Sequence, residues 1–386
     1  MPTVAEVVAW SRSAFPESLA EPWDSVGLVC GQPEAKVNSI LVTVDVTEQV
    51  VELALARGCK LILAHHPLLF EPVNSIASTS SRGRILTRLI QSDIALLTAH
   101  TNADAAAPGV SDALAGVLDL VDVQPVVPTS AEILDKLVVF VPPENANRLL
   151  DALSAAGAGR LGQYERCAYQ VDGMGTFRPI GSANPTIGRL GQIESVRELR
   201  LEMVLPRSRR TEIVRVLREV HPYEEPAFDV IELAPVRGDT GLGRIGRLRE
   251  PVTLAAFTER VAAALPSTAQ GVRVAGDLER QISSVAVCGG SGDSLLAKVD
   301  RLGADVFVTA DLRHHRAGDH LADGTTALVD VAHWASEFPW LWQLAAQIEE
   351  AFGGFGANDV ETRGNITVEV CELRTDPWRA ALRSRR

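Results

Sequence analysis

The chain has 386 residues, 46% hydrophobic and 22% charged, and its 37 basic and 49 acidic side chains leave a net charge of −12. That length allows two or three domains of ordinary globular composition. So acidic a surface lacks the basic footprint of non-specific nucleic-acid binding, and no apolar run approaches the roughly 18 residues of a membrane span. The five cysteines are odd in number and form no C-x-x-C pair. This argues against a disulfide framework or a thiolate zinc site and for a reducing, cytoplasmic setting. Met1-Pro2-Thr3 begins neither the basic nor the apolar region of a signal peptide.

In chain order, residues 1–20 carry Val4, Val7, Val8, Trp10 and Phe15 at helical spacing. The stretch from Glu21 to Leu28 reads as a turn into a short strand, and Leu41-Val42-Thr43-Val44 as a second strand. A helix is expected over 47–57, stopped by Gly58. The run Leu61-Ile62-Leu63 reads as a buried strand that gives way to Ala64-His65-His66-Pro67. A helix over 82–92 and a strand Ile94–Leu97 follow, ending in Thr98-Ala99-His100-Thr101-Asn102-Ala103-Asp104. Alternation of this kind predicts βαβ units and a largely parallel or mixed sheet.

Residues 125–130, with Pro125 and Pro128, read as a linker. The pattern then restarts: strand 136–141, helix 144–156, Gly-rich turns and strands to 180, strand 198–205, helix 208–220 and strand 227–233. That order, β-α-β then β-α-β, is ferredoxin-like. Gly238-Asp239-Thr240-Gly241 returns to the first domain. The expected architecture is α/β. Two related βαβ-type halves, 1–128 and 239–386, form one metal-binding domain, and an α+β domain over 129–238 is inserted between them. The tail from Arg374 to Arg386 reads as a frayed end.

The second half repeats the script of the first. Val285-Ala286-Val287 is a strand; Gly289-Gly290-Ser291-Gly292, a helix over 293–302, Gly303 and the strand Val306-Phe307-Val308 follow. Setting Gly58 against Gly303 places His66 opposite Asp311. It also matches His100-x-x-x-Asp104 with His333-x-x-x-Glu337. The competing reading is that any two βαβ units look alike; the shared His-x-x-x-carboxylate favours an internal repeat.

Imidazole and carboxylate donors suit Zn, Mn, Fe, Co or Ni. The site expected from the residues is dinuclear: His65 and His66 at a strand end, Asp104 as the bridging carboxylate, and His333 with Glu337 one helical turn apart. His100 is expected to handle protons or orient a ligand, with a metal-ligand role as the alternative, and His315, after Asp311, to line the cavity or else stand in a solvated loop. The loop Gly289–Gly292 could cradle a phosphate or be a plain tight turn. Two stretches, Gly157 to Gly162 and Gly241 to Gly246, fit G-x-G-x-x-G, but neither lies between a strand and a helix, so neither reads as a dinucleotide site. His221-Pro222-Tyr223-Glu224-Glu225 in the insert reads as a packed strand entrance, with a second ligand site as the alternative.

Six spaced motifs resemble the Nif-three-like family, the GTP cyclohydrolase 1 type 2 homologues. They are Trp23-Asp24-Ser25-Val26-Gly27-Leu28, Ala64 to Phe70, Ala99 to Asp104, Cys288 to Gly292, Ala310-Asp311-Leu312-Arg313-His314-His315, and His333-Trp334-Ala335-Ser336-Glu337. Inside the insert, His221 to Asp229 resembles the end of the PII/CutA-like domain of the family's long members. The resemblance implies two metal ions held by His65, His66, Asp104, His333 and Glu337. It implies a toroidal homo-hexamer with metal sites facing an inner cavity, and hydrolytic opening of the GTP imidazole ring. His100 or His315 would then shuttle protons, and Gly289–Gly292 with Arg313 or Arg316 would hold phosphate. Ser25, Ala310 and Ala332 depart from the family's usual Asn, Gly and Gly. The alternatives are a non-enzymatic metal-handling or regulatory homo-oligomer, and a phosphoesterase.

Overall fold

The computed structural model describes residues 1–129, 133–162, 164–234, 238–353 and 366–382. The chain divides into two compact units, one of Met1–Thr129 with Asp239–Arg386, the other of Ser130–Gly238. The first segment runs α1 (Val4–Ala14), β1 (Gly27–Cys30), β2 (Ser39–Thr43), α2 (Glu48–Arg57), β3 (Leu61–Ala64), α3 (Ser81–Gln91), β4 (Ala95–Thr98), α4 (Thr101–Ala105), α5 (Val110–Val117) and β5 (Val121–Pro128). The second unit holds β6 (Leu134–Val141), α6 (Pro143–Ala155), β7 (Tyr169–Phe177), β8 (Glu194–Pro206), α7 (Arg210–Val220) and β9 (Phe228–Glu232). The chain then returns through β10 (Gly241–Thr253), α8 (Leu254–Ala264), β11 (Arg273–Ala275), β12 (Gln281–Ser291), α9 (Leu296–Arg301), β13 (Val306–Ala310), α10 (His314–Asp323), β14 (Ala327–Val331), α11 (His333–Phe352) and β15 (Thr367–Val370).

The first unit contains two mixed sheets, ordered β1-β4-β3-β2-β15 and β11-β14-β13-β12-β10-β5. Their central strands β2-β3-β4 and β12-β13-β14 are parallel. Strand periodicity sorts the side chains of these strands between two faces. Ile40, Val42, Leu61, Leu63, Leu97, Val285, Val287, Val306, Val308 and Val329 enter one shared core with α1, α5, α8 and α11. The alternate residues Leu41, Ile62 and Leu96 pack under α2 and α3. Ala286, Phe307 and Leu328 do the same under α9. Strands buried on both faces must read as continuous apolar runs, and these do. The parallel strands end together, and their C-terminal edges carry the histidines.

The second unit is a four-stranded antiparallel sheet, ordered β7-β8-β6-β9. One face is packed by α6 and α7 through Leu149, Leu150, Leu153, Ile213 and Leu217 against Leu137, Val139, Val141, Leu201 and Met203. His221 ends α7 in this unit. Its Nδ1 accepts the Tyr223 N–H at 3.1 Å, so Nε2 carries the proton donated to the Phe140 carbonyl at 2.9 Å. Burial lowers its pKa and keeps it neutral.

Several expectations change. Residues 125–128 are the end of edge strand β5, with Pro125 opposite Arg244 and Pro128 opposite Gly241; an edge position tolerates proline. Ser130, the last residue of the expected linker, lies outside the described residues. The 293–302 helix is shorter, because β12 continues through Ser291 and a 3-10 turn, Asp293–Leu295, precedes the six residues of α9. The tail is not frayed at its start. β15 pairs with β2, and Cys371 N–H donates to the Val42 carbonyl at 2.8 Å. Asp376 is buried. Residues 383–386 of that tail lie outside the described residues.

Candidate metal centre

Six side chains gather at the C-terminal edge of the two parallel strand sets. His65 and His66 extend β3, their N–H groups donating to the Thr43 and Val44 carbonyls at 2.9 and 2.8 Å. His100 follows β4, and Asp104 lies one turn on in α4, its N–H donating to the His100 carbonyl at 3.0 Å. His333 follows β14 and opens α11, so Glu337 stands on the same helical face. His65 is fully buried and Glu337 nearly so.

Glu337 occupies the centre. Its Oε1 lies 2.9 Å from His333 Nε2 and 3.4 Å from His65 Nε2, and its Oε2 lies 3.2 Å from His66 Nε2. Asp104 Oδ1 reaches His65 Nε2 at 3.7 Å. The carboxylate between the imidazoles is therefore Glu337, where the sequence had suggested Asp104. The reason is the geometry of α11, whose first turn directs Glu337 inward from the second sheet. Two groups of three bring ligand atoms within 4.8 Å of one another: His65, His66 and His100, and His66, His333 and Glu337. Either group could hold a metal ion. His100 thus stands among the candidate ligands as well as beside them.

Four oxygens orient the four imidazoles. His65 Nδ1 lies 3.0 Å from the Ala99 carbonyl, His66 Nδ1 2.8 Å from Asp45, His100 Nδ1 2.8 Å from Asp24 and His333 Nδ1 2.6 Å from Asp311. Each Nδ1–H donates outward, which leaves each Nε2 for the site; metal-binding histidines are held this way. Asp24 is itself fixed by the N–H of Thr101 at 3.0 Å and by the Thr101 hydroxyl. Asp45 takes the Thr375 hydroxyl from the tail. Asp311 adopts a positive φ of 57°, an unusual conformation that asparagine and aspartate tolerate best.

The electrostatics follow from this crowding. Burial pulls the His66 imidazole down, but Glu337 and Asp45 outweigh it and raise it to about 10. Glu337, joined by Asp311, raises His333 to about 11. Burial opposes ionisation of Glu337, yet the facing imidazoles hold it well below its ordinary value. Burial, then Glu337, pushes Asp104 up to about 7. Cys288, on the same wall, is pushed up to about 12 by burial and by Asp104, so it is a thiol at neutral pH.

A cavity of about 1230 Å³ opens over the cluster. Its walls include Trp23, Phe70, His100, Asp311 and Trp378. His315 is not among them. It is exposed on α10, its ring 5.2 Å from that of His314, so the expected cavity-lining role is corrected: α10 carries it on its solvent side. Gly289–Gly292 also differ from a phosphate cradle. The N–H of Gly289 donates to Ser111 Oγ at 3.3 Å and that of Gly290 to Ser336 Oγ at 2.8 Å, so two of the four amides already have partners. β12 advances four residues, Val287 to Ser291, while β13 advances two, Val308 to Ala310. This bulge brings Gly290 against the cluster. A Cβ there would lie 2.5 Å from Glu337 Oε1 and 3.0 Å from His333 Nε2. The glycines make room for the ligands. Arg313 and Arg316 are exposed and face Asp293 at 2.7 and 3.8 Å.

The fold and the cluster define a mixed α/β protein with a His/carboxylate centre able to hold a metal ion. Among the described residues no helix is long and apolar enough to cross a membrane. The profile of Duf34/NIF3 (NGG1p interacting factor 3) matches residues 2–367, and the chain belongs to that family. The GTP cyclohydrolase 1 type 2 homolog of Mycobacterium tuberculosis is 48% identical over 377 residues, 97% of this chain and 96% of that one. The Mycobacterium leprae protein of the same name is 46% identical over 383 residues, 98% and 96% of the two chains. The crystal structure of a Bacillus cereus protein related to NIF3 superposes with a TM-score of 0.72 at 36% identity, covering 98% of this chain and 99% of that one.

Proposed function

We propose that this protein is a dinuclear-metal-dependent hydrolase acting on a nucleotide, by opening of the GTP imidazole ring, or on a similar phosphorylated heterocycle. The observation that carries the reading is convergence: four imidazoles are each held at Nδ1, those of His65, His66 and His333 turn Nε2 toward Glu337, and His100 stands beside His65 and His66. The cluster fits metal on its own chemistry. His65 Nε2 and Asp104 Oδ1 are buried without a hydrogen-bond partner, which is costly unless something else satisfies them. His65, His66, Asp104, His333 and Glu337 would hold two divalent ions of Zn, Mn, Fe, Co or Ni. When bound, such ions supply Lewis acidity and a hydroxide at neutral pH.

The remaining work falls to the protein. His100, its Nδ1–H held by Asp24, keeps Nε2 free to take a proton on the cavity side. Trp23, Phe70 and Trp378 offer flat apolar walls to a heterocycle and help exclude water. The names of the mycobacterial relatives support GTP chemistry. The same reading takes the first unit as two related halves and the second as an inserted ferredoxin-like, PII/CutA-like domain. Matching parallel triplets β2-β3-β4 and β12-β13-β14 and the order β7-β8-β6-β9 support it. It also includes a cytoplasmic toroidal homo-hexamer, which light scattering checks as six subunits.

The test is turnover by the metal-reconstituted protein. Incubation with GTP is expected to release formate, followed by an enzyme-coupled assay. His65→Ala is expected to lose both bound metal and turnover, and His315→Ala to keep both. A fully metal-loaded protein that leaves GTP and a panel of other nucleotides intact would sink the proposal.

A further inference from the structure

The second unit holds another cavity, of about 440 Å³, a volume typical of small-ligand sites. Its floor is a sheet face. Val139, Val141, Leu199 and Leu201 point to the helices, so Phe140 of β6 and Glu198 of β8 point to the opposite side. Gly175 of β7 lies beneath the acid: a Cβ there would fall 2.0 Å from Glu198 Oε2. The absence of that Cβ is what allows the carboxylate to lie across β7.

The walls are built rather than loose. They come from the connection between β7 and β8 and from the segment after α7. Thr186 Oγ1 donates to the Pro222 carbonyl at 2.7 Å, and the Asn184 N–H donates to Glu224 at 2.9 Å. His221, bonded to both Phe140 and Tyr223, fixes the entry of that segment. The ring of Tyr223 stands 6.2 Å from that of Phe177.

The chemistry of the lining is one-sided. Glu198, Glu224 and Glu225 contribute carboxylates, and none of the described lining residues is a lysine or arginine. Glu224 already accepts the Asn184 N–H. Among the described residues Glu198 makes no ion pair; the Tyr223 hydroxyl is its neighbour, and burial followed by the Glu198 carboxylate pushes that phenol's pKa up. The Tyr223 hydroxyl is buried beside that carboxylate and makes no well-formed hydrogen bond, which leaves its oxygen able to accept one from a ligand. Three aromatic rings, Phe140, Phe177 and Tyr223, surround these two groups, and aromatic faces attract cations.

We infer that this cavity binds a small organic ammonium ion. Its N–H groups donate to the Glu198 carboxylate and the Tyr223 phenol oxygen, and its apolar body lies against Phe140 and Phe177. A neutral alcohol of the same shape would bury the same rings but leave Glu198 without a counter-charge. An anion would meet three carboxylates.

The experiment uses the full chain and titrates 2-phenylethylammonium, butylammonium and 1,5-diaminopentane, with 2-phenylethanol as the neutral control, by calorimetry and by NMR shifts of the unit's amides. At least one ammonium ion is expected to bind, and more tightly than the alcohol. Glu198→Gln is expected to weaken that ion about tenfold or more, the range for a hydrogen bond to a charged group, while leaving the alcohol's weak affinity and the thermal midpoint unchanged. Tyr223→Phe is expected to weaken it by a smaller factor. Glu198 has no ion pair to lose, and glutamine keeps its size and an acceptor for the Tyr223 hydroxyl, so its replacement does not threaten the fold. Binding of the ammonium ion that is equal in Glu198→Gln and the unaltered protein would overturn the inference. So would the alcohol binding as well as the amine, or no ammonium ion binding below about 10 mM, an affinity too weak to matter. None of these outcomes bears on the metal centre, which lies in the other unit.

Discussion

At the scale of residues, the centre is a set of imidazoles whose protons compete with metal. His66 and His333 titrate at about 10 and 11 in the metal-free protein, the first because Glu337 and Asp45 overcome burial, the second chiefly because of Glu337. Both lie above the ordinary histidine value near 6.5, so their charged forms stabilise the fold fully below that pH, and the contribution fades as pH rises through 10 and 11. Metal needs them neutral. Binding at pH 7 must therefore expel protons, and affinity must rise with pH. Calorimetric titration of Zn or Mn in buffers of different ionisation enthalpy is expected to show release of about two to three protons per site, one for each raised imidazole and a fraction from Asp104, itself raised to about 7. A binding enthalpy that does not change with the buffer would refute this. The histidines themselves were legible in the sequence, since His65, His66, His100 and His333 each follow an apolar strand. Their orienting carboxylates were less so. Asp45 lies just after β2 and Asp24 sits in the turn before β1, far along the chain from His66 and His100, and only the folded sheet brings them together. The signal for Asp24 was its place in the Trp23 to Leu28 motif.

At the scale of elements, the Gly-rich stretches act through backbone geometry rather than by gripping a ligand. Gly290 clears space for Glu337, and Gly241-Leu242-Gly243-Arg244 offers carbonyls to a buried arginine. Arg244 on β10 is 1% exposed. It pairs with both oxygens of Asp112 at 2.7 Å and donates to the carbonyls of Gly241, Gly243 and Ala106 at 2.6, 2.9 and 2.5 Å. This ties β10 to α5 and to the turn after α4, the helix that carries Asp104. Removing one member of a buried pair leaves the other uncompensated. Arg244→Met is accordingly expected to destabilise the protein by about 3–5 kcal/mol in denaturant unfolding. A loss below about 1 kcal/mol, the size of an exposed pair, would show that the network is not holding these elements together. Sequence reasoning recognised that this G-x-G-x-x-G was not a dinucleotide loop, because a strand follows it. It could not see the arginine's partners, which come from residues more than 130 positions away. The tail was misread for a related reason. Its polar composition looks like a free end, and its order comes from β15 lying beside β2 and from Thr375 meeting Asp45, neither of which is local.

At the scale of the whole molecule, the second unit interrupts a hairpin. β5 and β10 are antiparallel neighbours, with Pro128 opposite Gly241, and the Thr129 N–H donates to the Thr240 carbonyl at 2.9 Å. The chain leaves the first unit at one residue of a cross-strand pair and returns at the other. A two-residue turn is enough to join such a pair, and Asn-Gly suits it best because both residues accept positive φ. The core of the first unit is drawn from its own residues, and so are all six side chains of the metal centre. Replacing residues 130–239 by Asn-Gly is therefore expected to give a chain that folds cooperatively and binds as much metal per subunit as the full protein. The same chain should bind no ammonium ion at the affinity the full protein shows, since Glu198 and Tyr223 are gone. Metal content by elemental analysis, a thermal unfolding curve and one amine titration read out all three. A shortened chain that stays unfolded, or that folds without metal, would mean the first unit depends on the insert for more than the closure of one hairpin.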